Sequence, residues 1–264
     1  IGIVIDGLPA GIRLDFEEIR FEMDRRRPGK NKLTTSRRES DEFEILSGYF
    51  NERTTGTPLC TIIRNHNQRS KDYEKSKDLM RPGHADYTGH MRYKGYNDYR
   101  GGGHFSGRLT APIVFAGAIA KQILKEKNII IGSHIYKIGD INDLGLNKVK
   151  IDEKLLEDLR KQEFPVLDEK KKALMKNKIL EVKREGDSLG GVVEGAIINI
   201  PPGLGTPYFG SIESKLASLL FSIPAVKGVE FGAGFNVSEM KGSQANDEYY
   251  IEDNTVKTYT NNNG

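Results

Sequence analysis

A chain of 264 residues is long enough to bury a core as one large domain or two small ones. Its net charge of only +3 excludes a binder that works by global positive charge, so any anion recognition falls to local arginine clusters. The single cysteine, Cys60, excludes an internal disulfide framework and an all-cysteine metal site.

Cys60 stands in the apolar run P-L-C-T-I-I and reads as a buried thiol rather than a nucleophile. No stretch reaches the eighteen or so apolar residues that a membrane helix needs, and no signal peptide is visible, so a cytoplasmic protein without membrane contact is expected. The chain starts at Ile1 inside a strand-like run and stops at T-N-N-N-G, so both ends read as cuts.

In chain order, Ile3, Val4 and Ile5 make a short buried strand, stopped by Asp6-Gly7 and Pro9-Ala10-Gly11. Asp15 followed by Glu18 is a helix-start signature, and Phe16, Ile19 and Met23 recur at helical spacing. Arg25-Arg26-Arg27 ends that helix, where cations suit the dipole, and Pro28-Gly29 closes it. Guanidinium forks bind carboxylate and phosphate in pairs of hydrogen bonds, so R-R-R-P-G-K-N-K can be an anion clamp as well as a solvated helix end. Residues 43–66 alternate as an antiparallel hairpin with its bend at Thr54–Pro58.

The segment Arg81–Arg108 holds three of the five histidines, a triple glycine and many arginines and hydroxyls, with hardly an aliphatic residue to build a core. Glycines 101–103 are tolerable where the main chain approaches something closely or takes positive φ. Thr110 is placed to cap the following helix with Pro112 in its first turn, and the free amides of that start would seat an anion. The helix itself, A-P-I-V-F-A-G-A-I-A-K-Q-I-L, is apolar nearly all round and belongs inside a domain.

Beyond it, I-I-I-G-S-H-I-Y-K-I-G resumes as strand, with His134 a structural residue within it. The charged helices of residues 140–188 carry a thin stripe, Leu174, Met175, Ile179 and Val182, and no chemistry. G-G-V-V-E-G-A-I-I-N-I is a strand, and Ser211 caps a helix whose Ile212, Leu216, Leu219 and Leu220 face inward. The pattern is α+β.

The motifs R-R-R-P-G, T-T-S-R-R-E, I-L-S-G-Y-F, T-T-G-T-P, R-P-G-H-A-D-Y-T, D-Y-R-G-G-G, S-I-P-A-V-K-G and G-S-Q-A-N-D-E follow one another in an order that closely resembles chorismate synthase. The likeness runs through residues 1–264. It implies one domain over 1–264 that lacks the family's N-terminal G-E-S-H-G segment and its C-terminal part. The implied fold is a layered β-α-β sandwich with helices enclosed between antiparallel sheets, assembled as a homotetramer.

The implied reaction is the reduced-FMN-dependent 1,4-anti elimination of phosphate from 5-enolpyruvylshikimate 3-phosphate, the last step of the shikimate pathway toward aromatic amino acids. The resemblance makes His84 and Ser106 the catalytic residues. It places flavin against His104, Phe105, Ser106, Pro224 and Ala225, and substrate anions or NADP at Arg26, Arg27, Lys32 and Arg108. Where the family has R-S-S-A-R-E-T, this chain has H-F-S-G-R-L-T, and it has Lys32 in place of a usual arginine.

Other readings compete. His84, Asp86 and His90 give an H-x-D-x-x-x-H spacing that is not a specific metal pattern, and the cations around it would repel a metal ion. Basic runs with Tyr93, Tyr96 and Tyr99 suggest nucleic acid, against which stand the low net charge and the lack of a recognised motif. A catalytically silent flavin- or anion-binding relative is the alternative to an enzyme.

Overall fold

The computed structural model describes residues 1–29, 31, 33–34, 39–65 and 78–264. Contacts gather the chain into two compact units, Ile1–Leu124 and Lys125–Gly264. The first is built from β1 (Gly2–Ile5), α1 (Phe16–Arg26), β2 (Phe43–Ser47), β3 (Tyr49–Phe50), β4 (Arg53–Thr54), β5 (Leu59–Ile63), α2 (Asp86–Arg92) and α3 (Thr110–Lys125). β5 lies between β1 and β2 and pairs antiparallel with both, so that Thr61 faces Ile3 on one side and Ile45 on the other.

The alternation along β5 explains the core. Leu59, Thr61 and Ile63 are buried and point to one face, as a period of two requires. Ile19 and Met23 of α1 and Ala111, Phe115, Ala118 and Ile119 of α3 form one buried cluster with Leu59 and Ile63. β1 sits at the sheet edge and leaves Val4 63% exposed, so the expected burial of this strand holds for Ile3 and Ile5 only in part. Cys60 is half-buried.

Asp15 caps α1 as read from the sequence, its Oδ1 accepting from the amides of Glu17 at 2.9 Å and Glu18 at 3.1 Å. Its own amide donates to Gln122 Oε1 at 2.9 Å, and Gln122 Nε2 donates back to the Asp15 carbonyl at 2.9 Å. The cap thereby ties the start of α1 to α3. The chain reversal after β2 falls at Asn51 and Glu52, not at Thr54–Pro58. Both residues take positive φ, 46° and 59°, the primed turn that matches the twist of the flanking strands β3 and β4.

The second unit holds β6 (Ile130–Ile138), β7 (Ile141–Asn142), α4 (Glu153–Lys161), α5 (Glu169–Arg184), β8 (Gly191–Ile198), α6 (Ile212–Phe221), α7 (Gly242–Ala245) and the hairpin β9 (Tyr249–Glu252) with β10 (Thr255–Thr258). β6 is central, with β7 and β8 antiparallel on its two sides. Leu156 and Leu159 of α4 pack with Leu146, Ile130, Ala196 and Ile198. Gly132 makes this close approach feasible, since a Cβ there would lie 2.8 Å from Leu156 Cβ.

His134 of β6 is a structural residue, as expected. Its side chain is fully buried, with Nδ1 3.2 Å from Asp143 Oδ2 and Nε2 2.8 Å from Glu194 Oε2. Asp143 also accepts from the amides of Leu167 and Asp168, and Glu194 from that of Leu146, so the cluster joins both strands to two loops. The stripe on α5 reduces to buried Met175, with Leu174 outside. Ser211 caps α6 through Ser214, but the inward face expected there is open: Leu219 is 66% exposed and no residue of the helix is buried. All strand pairs among the described residues are antiparallel, and the fold class is α+β.

Candidate functional site

His84 lies just before α2, in the first unit, and is held from three directions. Its Nδ1 is 2.7 Å from Asp86 Oδ1, on the first residue of the helix. Arg81 grips the same carboxylate: Nε donates to Oδ2 at 2.7 Å, Nη2 to Oδ1 at 2.9 Å, and the main-chain amide to Oδ2 at 3.1 Å. Arg81 Nη2 is also 3.3 Å from both ring nitrogens of His84, so the guanidinium lies against the ring rather than bonding to one nitrogen. The hydrogen bonds from the Arg81 side chain, against the opposing effect of burial, hold the Asp86 carboxyl well below the usual carboxylate range.

The triple glycine supplies the third side. Gly102 is buried at φ 85°, and a Cβ there would come within 3.3 Å of His84 Cε1 and 3.4 Å of His84 Nε2. Gly103 takes φ 51°, and its Cβ would strike the Asp98 carbonyl oxygen at 2.2 Å. Both demands, positive φ and close approach, are ones only glycine meets without strain. Thus the glycines bring bare main chain to the Cε1–Nε2 edge of the ring.

Of the flavin-contact residues, His104 is exposed, while Phe105 packs over α2, where a Cβ on Gly89 would meet its ring at 2.4 Å. Ser106 Oγ accepts from the Arg108 amide at 3.3 Å, so Ser106, not Thr110, caps the turn into α3. Thr110 is already helical, and its amide and that of Leu109 are satisfied by carbonyls of the preceding turn. The free-amide anion seat expected at this helix start is therefore closed by its own lead-in turn. Pro224 and Ala225 lie exposed in the second unit, with Ala225 at φ 72°.

The arginines form a second cluster. Arg26 Nη1 donates to Asp41 Oδ2 at 2.6 Å, Arg108 Nη1 donates to Asp41 Oδ1, and Arg26 Nε donates to Thr110 Oγ1 at 3.2 Å. One buried carboxylate thus joins residues that are 82 apart in sequence, with Glu39 Oε2 3.7 Å from Arg108 Nη2. Arg108 Nε and Nη2 are buried without a hydrogen bond among the described residues, so this guanidinium keeps donors in hand. Arg27 reaches Asp24 at 3.3 Å, and Lys32 lies outside the described residues.

Asp86, Arg81, Asp41 and Glu39 were not named as site residues by sequence reasoning. The first two stand inside R-P-G-H-A-D beside His84, and Glu39 ends T-T-S-R-R-E, which were the available signals; Asp41 has no local cue. No three His, Cys, Asp or Glu side chains among the described residues are placed to hold a metal ion, and no helix there is long and apolar enough to cross a membrane.

A family model described as chorismate synthase matches residues 1–264. The chain is 49% identical over 265 residues to a chorismate synthase of Pyrococcus abyssi, covering all of this chain and 72% of that one. It is 46% identical over 268 residues to one of Methanobrevibacter smithii, covering all of this chain and 71% of that one. A solved structure titled as a crystal structure of chorismate synthase superposes with a TM-score of 0.78 at 32% identity, over 99% of this chain and 74% of that one.

Proposed function

The chain belongs to the chorismate synthase family, and from that premise we propose how its own residues serve the reaction. It is a lyase that removes phosphate and a hydrogen from 5-enolpyruvylshikimate 3-phosphate in a 1,4-anti elimination to give chorismate. Reduced FMN, when bound, supplies an electron-rich ring that takes part in the elimination without net redox change.

The residues present fit a flavin and an anionic substrate. Gly102 brings bare main chain against the His84 ring, and Arg108 holds buried donors that make no hydrogen bond among the described residues. His104, Phe105 and Ser106 are flavin contacts in this reading, and Pro224 and Ala225 are, separately, further flavin contacts. Arg26, Arg27, Lys32 and Arg108 would bind the carboxylates and phosphate or NADP. Asp41 and Glu39 keep Arg26 and Arg108 in place between turnovers, since a buried guanidinium needs an acceptor.

His84 holds or moves a proton at Nε2, a task suited to a ring that titrates near neutral pH in free solution. Ser106 Oγ uses a lone pair for its cap, which leaves the hydroxyl hydrogen for a proton relay. A cytoplasmic homotetramer completes the reading. The observation that carries it is the hold on His84: Asp86 at one nitrogen, main-chain glycine at the edge of the other.

The test is anaerobic phosphate release from 5-enolpyruvylshikimate 3-phosphate by the full-length protein, with reduced and with oxidised FMN. Release only with reduced FMN, with an equal amount of chorismate, is expected. No release from folded protein with reduced FMN would point to a silent relative.

A further inference from the structure

We infer that Asp86 is a positioning residue for His84, and that it makes Nε2 the nitrogen that exchanges the proton. The inference rests on the reading of His84 as a catalytic residue, and adds to it the group that orients the ring.

A neutral imidazole has one N–H and one lone pair, and the partner of one nitrogen decides which is which. Here Nδ1 faces a carboxylate oxygen at 2.7 Å, and a lone pair in that place would be repelled. Nδ1 therefore carries hydrogen whether the ring is neutral or protonated, and the proton that comes and goes is the one on Nε2. Arg81 cannot reverse this choice. It has no acceptor, and its Nη2 stands equally, at 3.3 Å, from the two ring nitrogens.

The carboxylate is itself fixed. Oδ2 takes two hydrogen bonds from Arg81, through its amide and Nε, while Oδ1 takes Nη2 and His84. A forked arginine with a main-chain bond leaves one orientation for Asp86, and hence one for the imidazole. At the other side of the ring, a Cβ at Gly102 would meet His84 and Arg81, so glycine main chain and the Arg81 guanidinium, which offers no acceptor, stand at the Nε2 edge.

Geometry also predicts what an amide would do. In Asp86→Asn the oxygen stays where two Arg81 donors meet, at the Oδ2 position, and the NH2 turns toward Nδ1 of His84. The ring must then offer a lone pair at Nδ1 and carry its hydrogen on Nε2, the wrong tautomer for accepting a proton there. Asp86→Glu keeps a carboxylate and the preferred tautomer with a less exact reach.

The test is nitrogen NMR of full-length protein labelled at histidine ring nitrogens, with His84→Gln to assign the signals, joined to steady-state kinetics. In the wild type, neutral His84 should show hydrogen on Nδ1 and a bare Nε2; in Asp86→Asn the pattern should invert. The same variant should lose about 100-fold in kcat with KM changed less than about threefold, and Asp86→Glu should recover to within about tenfold of wild type. Wild-type His84 with hydrogen on Nε2 would overturn the inference without any variant. So would an Asp86→Asn protein, folded by its thermal midpoint, that keeps the wild-type tautomer. An inverted tautomer in Asp86→Asn with turnover unaffected by His84→Ala would instead leave the positioning intact and remove His84 from the chemistry.

Discussion

Two histidines among the described residues meet carboxylates, and the meetings differ at the second ring nitrogen. His134, in the second unit, is fully buried with a carboxylate at each nitrogen, Asp143 at Nδ1 and Glu194 at Nε2. His84, in the first unit, is one quarter exposed with a carboxylate at Nδ1, and the Arg81 guanidinium and glycine main chain near Nε2. His134, with a carboxylate at each nitrogen, is a strut; in the proposed function His84, with a carboxylate at Nδ1 and the Arg81 guanidinium and glycine main chain near Nε2, is the proton carrier. A histidine–carboxylate pair is therefore not by itself a sign of catalysis; what faces the second nitrogen separates the two.

That comparison can be broken at several points. His84→Ala should cost the most, lowering turnover by about 10³- to 10⁴-fold, some 4–5 kcal/mol of barrier, with the urea midpoint unchanged. His134→Gln should do the converse. Removing the ring leaves buried Asp143 and half-buried Glu194 without their shared histidine partner, a loss of about 3 kcal/mol in urea unfolding, while turnover of the folded protein stays within about twofold.

Glu22 of α1 sharpens the contrast because it reverses the arrangement at His134, a buried carboxylate between two basic side chains, Lys121 and Arg25. Burial would raise its pKa, but the hydrogen bonds and charges of Lys121 and Arg25 win and lower it from 4.5 to about 2. A depressed carboxyl pKa stabilises the fold above the ordinary value and loses that contribution on acidification. The contribution, up to about 3 kcal/mol, is complete above about pH 4.5 and disappears as pH falls through about 2. Glu22→Gln should differ from wild type by that amount in unfolding at pH 7, and the two should converge near pH 2.

Gly102→Ala is the mildest change and touches the His84 side alone. The φ of 85° and a Cβ at 3.3 Å from His84 Cε1 predict a stability loss of about 1–2 kcal/mol. Turnover should fall roughly tenfold as the ring is displaced, which thermal melts and steady-state kinetics would separate.

The sequence disclosed what depends on near neighbours and withheld what depends on distant ones. Asp15 was legible as a cap because its amide partners lie two and three residues on, whereas Gln122, which completes the cap, is 107 residues away. Ser106 is the cap where Thr110 is expected, because the 3₁₀ turn Gly107–Leu109 that Ser106 starts has no apolar period to announce it. The reversal at Asn51 and Glu52 was missed in favour of a Gly-Pro cue, since glutamate at positive φ carries no turn signal.

At the site, R-P-G-H-A-D drew notice to His84 and left Asp86 as no more than a doubtful metal ligand, because spacing alone does not tell a carboxylate that binds a cation from one that orients a ring. Arg26 and Arg108 were singled out separately; that one carboxylate, Asp41, joins them is a fact of tertiary structure. On α6 the period was real but the burial was not, since periodicity reports an apolar face and not what covers it.

The division between the two histidines is tested most directly by single-turnover phosphate release, measured without oxygen and with reduced FMN, on full-length His84→Ala and His134→Gln shown to be folded by circular dichroism. Release abolished in the first and retained in the second is the expected result. Full release from His84→Ala, or equal loss in both, would contradict it.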